Sequence, residues 1–137
     1  MEDSIQENGS VTKIFTEILG RTLVSVEQNP ERDVLVFRFE DGDVYNMYHA
    51  QDCCEEVTIE DVTGDFSDLI GSPLTEAEEV AKPNAEKWET WTFYKFRTEK
   101  GSVTIRWYGS SNGQYAETVS FTKIDKKDED ISALSPR

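Results

Sequence analysis

Alternation of apolar and polar residues is clearest toward the end of the chain. Val103, Ile105 and Trp107 interleave with Thr104, Arg106 and Tyr108. Side chains alternate along a strand, so the first three share one face and the last three the other. The run before it, residues 89–98, sets Trp91, Phe93, Lys95 and Arg97 against Thr92, Tyr94 and Phe96. A strand with aromatics on both faces is expected to be covered on both. Glu99-Lys100-Gly101 and Ser110-Ser111-Asn112-Gly113 read as turns, and residues 114–122 as a third run. Val119 and Phe121 suit the face of Val103. The pattern predicts a three-stranded antiparallel meander over 89–122.

Upstream, residues 34–40 and 44–49 are rich in β-branched and aromatic residues and flank Asp41-Gly42, a strong hairpin signal. Residues 22–27 and 57–62 read as further strands, with a turn at Asn29-Pro30-Glu31. Residues 66–70 suggest one helical turn, ended by Gly71-Ser72-Pro73. Residues 74–80 fit a strand or a short helix, and Lys82-Pro83-Asn84 a surface loop. Ile14, Phe15, Ile18 and Leu19 recur at helical spacing between a capping Ser10 and Gly20, which predicts a helix over 11–19. That helix is the expected cover for the Val103–Ile105–Trp107 stripe. The fold class expected is α+β: an antiparallel β-sheet of six to seven strands with one main N-terminal helix packed on a face. Residues 1–9 read as a flexible tail, 10–123 as a single domain, and 124–137 as a flexible acidic and polar tail.

Charge changes the picture of partners. The 137 residues carry a net charge of −14. That argues against direct nucleic acid contact, which needs Lys and Arg on phosphates, and against an anionic membrane surface. No apolar run reaches the length of a membrane span, and Met1-Glu2-Asp3-Ser4 lacks the features of a signal peptide. The expected location is the cytoplasm of a bacterial cell. From Glu40 to Glu79 the chain has thirteen Asp and Glu and no Lys or Arg, so its cations must come from elsewhere. Residues 89–127 hold seven Lys and Arg against four acids, whereas 1–88 hold six against twenty-one. The basic meander either offsets the acidic middle within the fold or sets Arg106, with Arg97 or Lys95, beside aromatics in an anion-tolerant pocket.

The only histidine and both cysteines fall in His49-Ala50-Gln51-Asp52-Cys53-Cys54-Glu55-Glu56. A bond between adjacent cysteines closes an eight-membered ring, so two reduced thiols are expected. His49, Asp52, Cys53 and Cys54 offer zinc-ligand chemistry, but structural zinc motifs separate their cysteines and no second pair completes the set. A Cys–His nucleophile needs a thiolate, which Asp52, Glu55 and Glu56 disfavour. Glu60, Asp61, Asp65 and Asp68 do not follow the spacing of a calcium loop and read as a solvated rim. No phosphate-cradling glycine loop or serine elbow is present. The expectation is no catalysis, no metal and no cofactor.

Three stretches carry a resemblance. They are Tyr48-His49-Ala50-Gln51-Asp52-Cys53-Cys54-Glu55 with Val57 and Asp61; Gly64-Asp65 with Asp68-Leu69-Ile70-Gly71-Ser72-Pro73; and Thr90-Trp91-Thr92-Phe93-Tyr94-Lys95-Phe96 leading to the segment from Lys100 to Gly113. Together they resemble a family of short phage and bacterial proteins of unknown function over residues 12–122. The pattern is also similar to phage anti-defence proteins of the Thoeris type. That likeness implies a non-enzymatic homo-oligomer that sequesters a cyclic ADP-ribose immune signal. The binding residues come from the face argument instead: Arg106, Tyr108, Asn112, Tyr94, Phe93 and Arg97. Two other readings stand beside it. One is an acidic phosphate mimic that inhibits a nucleic-acid-binding host defence protein; the other is a small structural or accessory phage protein.

Overall fold

The structure, a computed structural model, describes residues 2–5 as backbone, and 11–84, 86–114 and 116–124 in full. Its ten strands are β1 (Glu2–Ile5), β2 (Val11–Ile14), β3 (Leu23–Gln28), β4 (Val34–Phe39), β5 (Val44–Tyr48), β6 (Glu56–Thr63), β7 (Glu76–Asn84), β8 (Glu89–Thr98), β9 (Gly101–Ser110) and β10 (Ser120–Ile124). They form two antiparallel sheets. The larger runs β1-β2-β7-β8-β9-β6 and the smaller β10-β5-β4-β3. The fold is therefore nearly all-β, and the expected α+β arrangement with a main N-terminal helix is corrected.

The residues expected to form that helix instead make β2, which pairs with β7 from Val11↔Ala81 to Ile14↔Glu78. Only Thr16–Ile18 turns, as a single 3-10 turn. Val11, Thr12 and Ile14 include the β-branched residues that favour a pleated surface. A lone short helix would also carry the cost of nucleation, whereas a strand joins a sheet already formed. Ile14 points outward and is 41% exposed, while Phe15 and Ile18 drop into the core. Helical spacing was thus shared by an outward strand position and a following turn.

The hairpin β4–β5 closes at Asp41-Gly42 as the pattern predicts, and β8 and β9 pair along their full lengths. The third run of the expected meander does not join them. The far side of β9 is taken by β6, so the chain crosses over and β10 pairs with β5 in the smaller sheet. The loop expected at Lys82-Pro83-Asn84 belongs to β7. Pro83 is tolerated there because it lies beyond the β2 pairing, which reaches only Ala81, so one side of the strand needs no N–H donor.

The smaller sheet supplies the cover expected from the helix. Leu35, Phe37, Tyr45, Met47 and Phe121 face Tyr94, Phe96, Val103, Ile105 and Trp107 across one buried core. Phe121 lies at its centre, with ring centroids 5.1 Å from Phe15, 5.3 Å from Phe37 and 5.2 Å from Tyr45. Trp107 is wholly buried, and its indole N–H donates to Met47 Sδ at 3.2 Å. Tyr94 and Phe96 on β8 are thereby covered from within the chain. Trp91 and Phe93, on the other face of β8, remain half-buried.

Candidate functional site

The outer face of the larger sheet can be read row by row from its register. Thr12, Val80, Phe93 and Arg106 lie side by side across β2, β7, β8 and β9, with Asp61 of β6 beyond. The next row toward the Ser110 end of β9 is Lys82, Trp91, Tyr108 and Thr58. On the other side, Ile14, Glu78, Lys95, Thr104 and Thr63 line up. Arg97 opposes Glu76 one row further on.

The six candidate residues do not form one site. Phe93 and Arg106 are cross-strand neighbours, and Tyr108 sits beside Trp91 with ring centroids 5.0 Å apart. Tyr94 lies on the opposite face, fully buried. Its hydroxyl donates to Glu79, and burial followed by that carboxylate pushes its pKa well up. Arg97 stands at the far end of β8, 3.3 Å from Glu76. Asn112 is exposed in a turn and accepts from the Gln114 amide. That turn is occupied by its own neighbours. Ser111 and Thr90 donate to Glu117, and Trp88 packs so close to Gly113 that a Cβ there would lie 2.6 Å from the indole nitrogen. Tyr108 donates to Glu89 at 2.5 Å, the main reason its pKa is raised.

Arg106 is also engaged, since its Nε donates to Glu60 at 2.7 Å. The cause is a β-bulge between Ile59 and Asp61. Ile59 is buried and Val62 packs against the core, so the extra residue leaves both Glu60 and Asp61 exposed between them. Three further acids of the long acidic stretch also meet cations. Asp41 and Asp43 hold Arg21, Asp43 also meets Lys123, and Glu76 meets Arg97.

Two lysines stand apart from this pattern. Lys82 and Lys95 flank Phe93 and, among the described residues, neither forms an ion pair. Lys82 Nζ lies 5.3 Å from the Phe93 ring centroid. With Thr12, Glu78 and Val80 they line a recess of about 380 Å³. It holds a ring face, two ammonium groups and one carboxylate. Such a set can stack a flat ring, neutralise an anion and accept from hydroxyl or amine donors. A larger recess of about 540 Å³ is lined by Gln51, Cys53, Cys54, Glu55, Glu56, Val57, Thr58 and Tyr108. Among the described residues no cation lines it, so it suits an anion poorly.

The block that carries Cys53 is built around a buried pair. His49 is 3% exposed and Glu55 2%. His49 Nδ1 donates to the Thr118 carbonyl at 2.6 Å, and its Nε2 lies 2.7 Å from Glu55 Oε2. Glu55 also accepts from the amides of Asp52 at 2.9 Å and Cys53 at 3.0 Å. Burial pushes the Glu55 pKa up, but His49 and the two amides outweigh it and bring it down to about 2. Cys53 and Cys54 are bonded to each other, so the expectation of two free thiols is corrected. The Glu55 anchor holds this loop in a bent course that brings the adjacent side chains together. Both ring nitrogens of His49 and both sulfurs are thus committed within the chain. Among the described residues no group of three or more His, Cys, Asp and Glu could hold a metal ion, and no helix is long and apolar enough to cross a membrane.

Fold and site together define a two-sheet antiparallel β protein with a lysine-flanked aromatic recess on one open sheet face. The chain belongs to the DUF7448 family, a domain of unknown function, which matches residues 16–121. No curated protein and no solved structure matches it.

Proposed function

We propose that the protein is a non-enzymatic binding protein that sequesters a small nucleotide-like anion on the outer face of its larger sheet. The observation that carries this reading is the pair Lys82 and Lys95 on either side of Phe93. In a chain of net charge −14, two ammonium groups beside one half-buried ring mark the place where an anion with a flat ring is best received. Glu78 supplies an acceptor for ribose hydroxyls or an exocyclic amine. Arg106, held by Glu60, is a peripheral residue of this site and not its anion anchor. The likeness to phage anti-defence proteins of the Thoeris type makes a cyclic, ADP-ribose-derived immune signal the candidate ligand.

The test is a thermal-melting screen of the full chain against cyclic nucleotides and cyclic ADP-ribose isomers, with Lys82→Ala/Lys95→Ala alongside. A ligand that binds only the folded state raises the melting temperature, and the rise grows with the logarithm of its concentration relative to Kd. We expect a rise with at least one member of the panel. A charge-assisted contact contributes roughly 1.5–3 kcal/mol, so losing one lysine should weaken binding about ten- to a hundred-fold and losing both should erase the rise. No rise across the panel, or an equal rise in the double variant, would refute the proposal.

A further inference from the structure

The larger recess beside Tyr108 has no place in this reading, yet its rim carries the Cys53–Cys54 bond. Disulfides stabilise chiefly by closing loops in the unfolded chain, and the benefit grows with loop length. A bond between neighbours closes no loop, so it is not a staple. The loop is fixed by other means, through Glu55, His49 and the amides of Asp52 and Cys53. Both cysteines are also exposed, where small thiols can reach them.

The peptide group inside the disulfide ring is itself wired to the recess. The Cys53 carbonyl accepts from the Gln51 side-chain amide at 3.2 Å, and the same nitrogen donates to the Glu55 carbonyl at 2.7 Å. Gln51 lines the recess together with Thr58 and Tyr108. Opening the ring frees the Cys53–Cys54 peptide to rotate, while Glu55 keeps its hold on the Cys53 amide. The carbonyl then leaves Gln51, and the wall that Gln51 forms moves with it.

We propose that Cys53–Cys54 is a reversible thiol-exchange site whose redox state reshapes the recess lined by Gln51, Thr58 and Tyr108. The co-reactant is a dithiol. Its first thiolate attacks one of the two sulfurs, breaking the Cys53–Cys54 bond and forming a mixed disulfide. Its second thiolate displaces the protein sulfur, leaving two protein thiols and a cyclic oxidised dithiol. Two electrons and two protons pass to the protein, and the reverse sequence restores the bond. This inference is independent of the ligand proposed for the lysine recess.

The experiment uses the full chain equilibrated in reduced and oxidised dithiothreitol. Alkylation followed by intact mass counts thiols, and amide spectra report the recess. We expect two alkylated thiols per reduced chain and none after reoxidation, with no covalent dimer. The Gln51 side-chain amide and the Thr58 and Tyr108 backbone amides should shift between states, while the Trp107 indole signal stays in place. Cys53→Ser and Cys54→Ser should each show the reduced-state spectrum in either buffer. Phenylarsine oxide, which bridges two thiols with loss of water, should bind reduced wild type once per chain and neither variant. Reoxidation that yields only bonds between chains, or identical Gln51 and Thr58 signals in both states, would overturn the proposal. Neither of those readings requires a variant to fold.

Discussion

Single residues in this fold do separable jobs, and Trp107 shows the purely structural one. Its ring is wholly enclosed between the sheets and its only polar atom is satisfied by Met47. Trp107→Ala should therefore cost roughly 3–5 kcal/mol by denaturant unfolding, and a loss under about 1 kcal/mol would place the ring outside the core. Glu55 does a different job, because it ties His49 to the amides that shape the cysteine loop. Its folded pKa of about 2 lies below the ordinary value of 4.5. A depressed carboxylate adds stability that is fully present above the unfolded pKa and is lost as pH falls through the folded one. The unfolding free energy should thus decline between about pH 4.5 and about pH 2, and Glu55→Gln should flatten that decline. An unchanged acid limb in the variant would remove Glu55 as its source.

At the scale of elements, β2 is where strand and helix give opposite expectations. As a strand it exposes Ile14, and the residue after its end, Phe15, is buried. Ile14→Lys should change stability by less than about 0.5 kcal/mol, whereas Phe15→Ala should cost roughly 3–5 kcal/mol. Comparable losses at both positions would restore the helix. The reason for the misreading is physical. Positions 14, 15, 18 and 19 satisfy a helical period, yet a strand end followed by a 3-10 turn buries 15 and 18 just as well. The hairpins β4–β5 and β8–β9 were legible because alternation and turn residues are local. The bulge in β6 also leaves a trace in the spacing of its apolar residues. Val57 and Ile59 are two apart, but the next inward apolar residue is Val62, and that slip of one leaves Glu60 and Asp61 together. The lysine recess was not legible. It depends on Lys82 lying opposite Trp91 and beside Phe93, a register set by pairing β7 with β8, and Pro83 had marked that segment as a loop.

For the whole molecule, the question is where a strongly negative chain keeps a place for an anion. Four acids of the long acidic stretch, Asp41, Asp43, Glu60 and Glu76, are paired within the chain by Arg21, Lys123, Arg106 and Arg97. What remains on the open face of the larger sheet is Lys82 and Lys95 about Phe93. The most direct measurement is a titration of isotope-labelled full chain with the best nucleotide from the melting screen, followed by amide chemical shifts. The expected result is a set of saturable shifts centred on Thr12, Val80, Lys82, Phe93 and Lys95, with small changes at Arg106 and none at Asn112. Shifts centred on Arg106 and the turn at Asn112, with Lys82 and Lys95 unmoved, would contradict it.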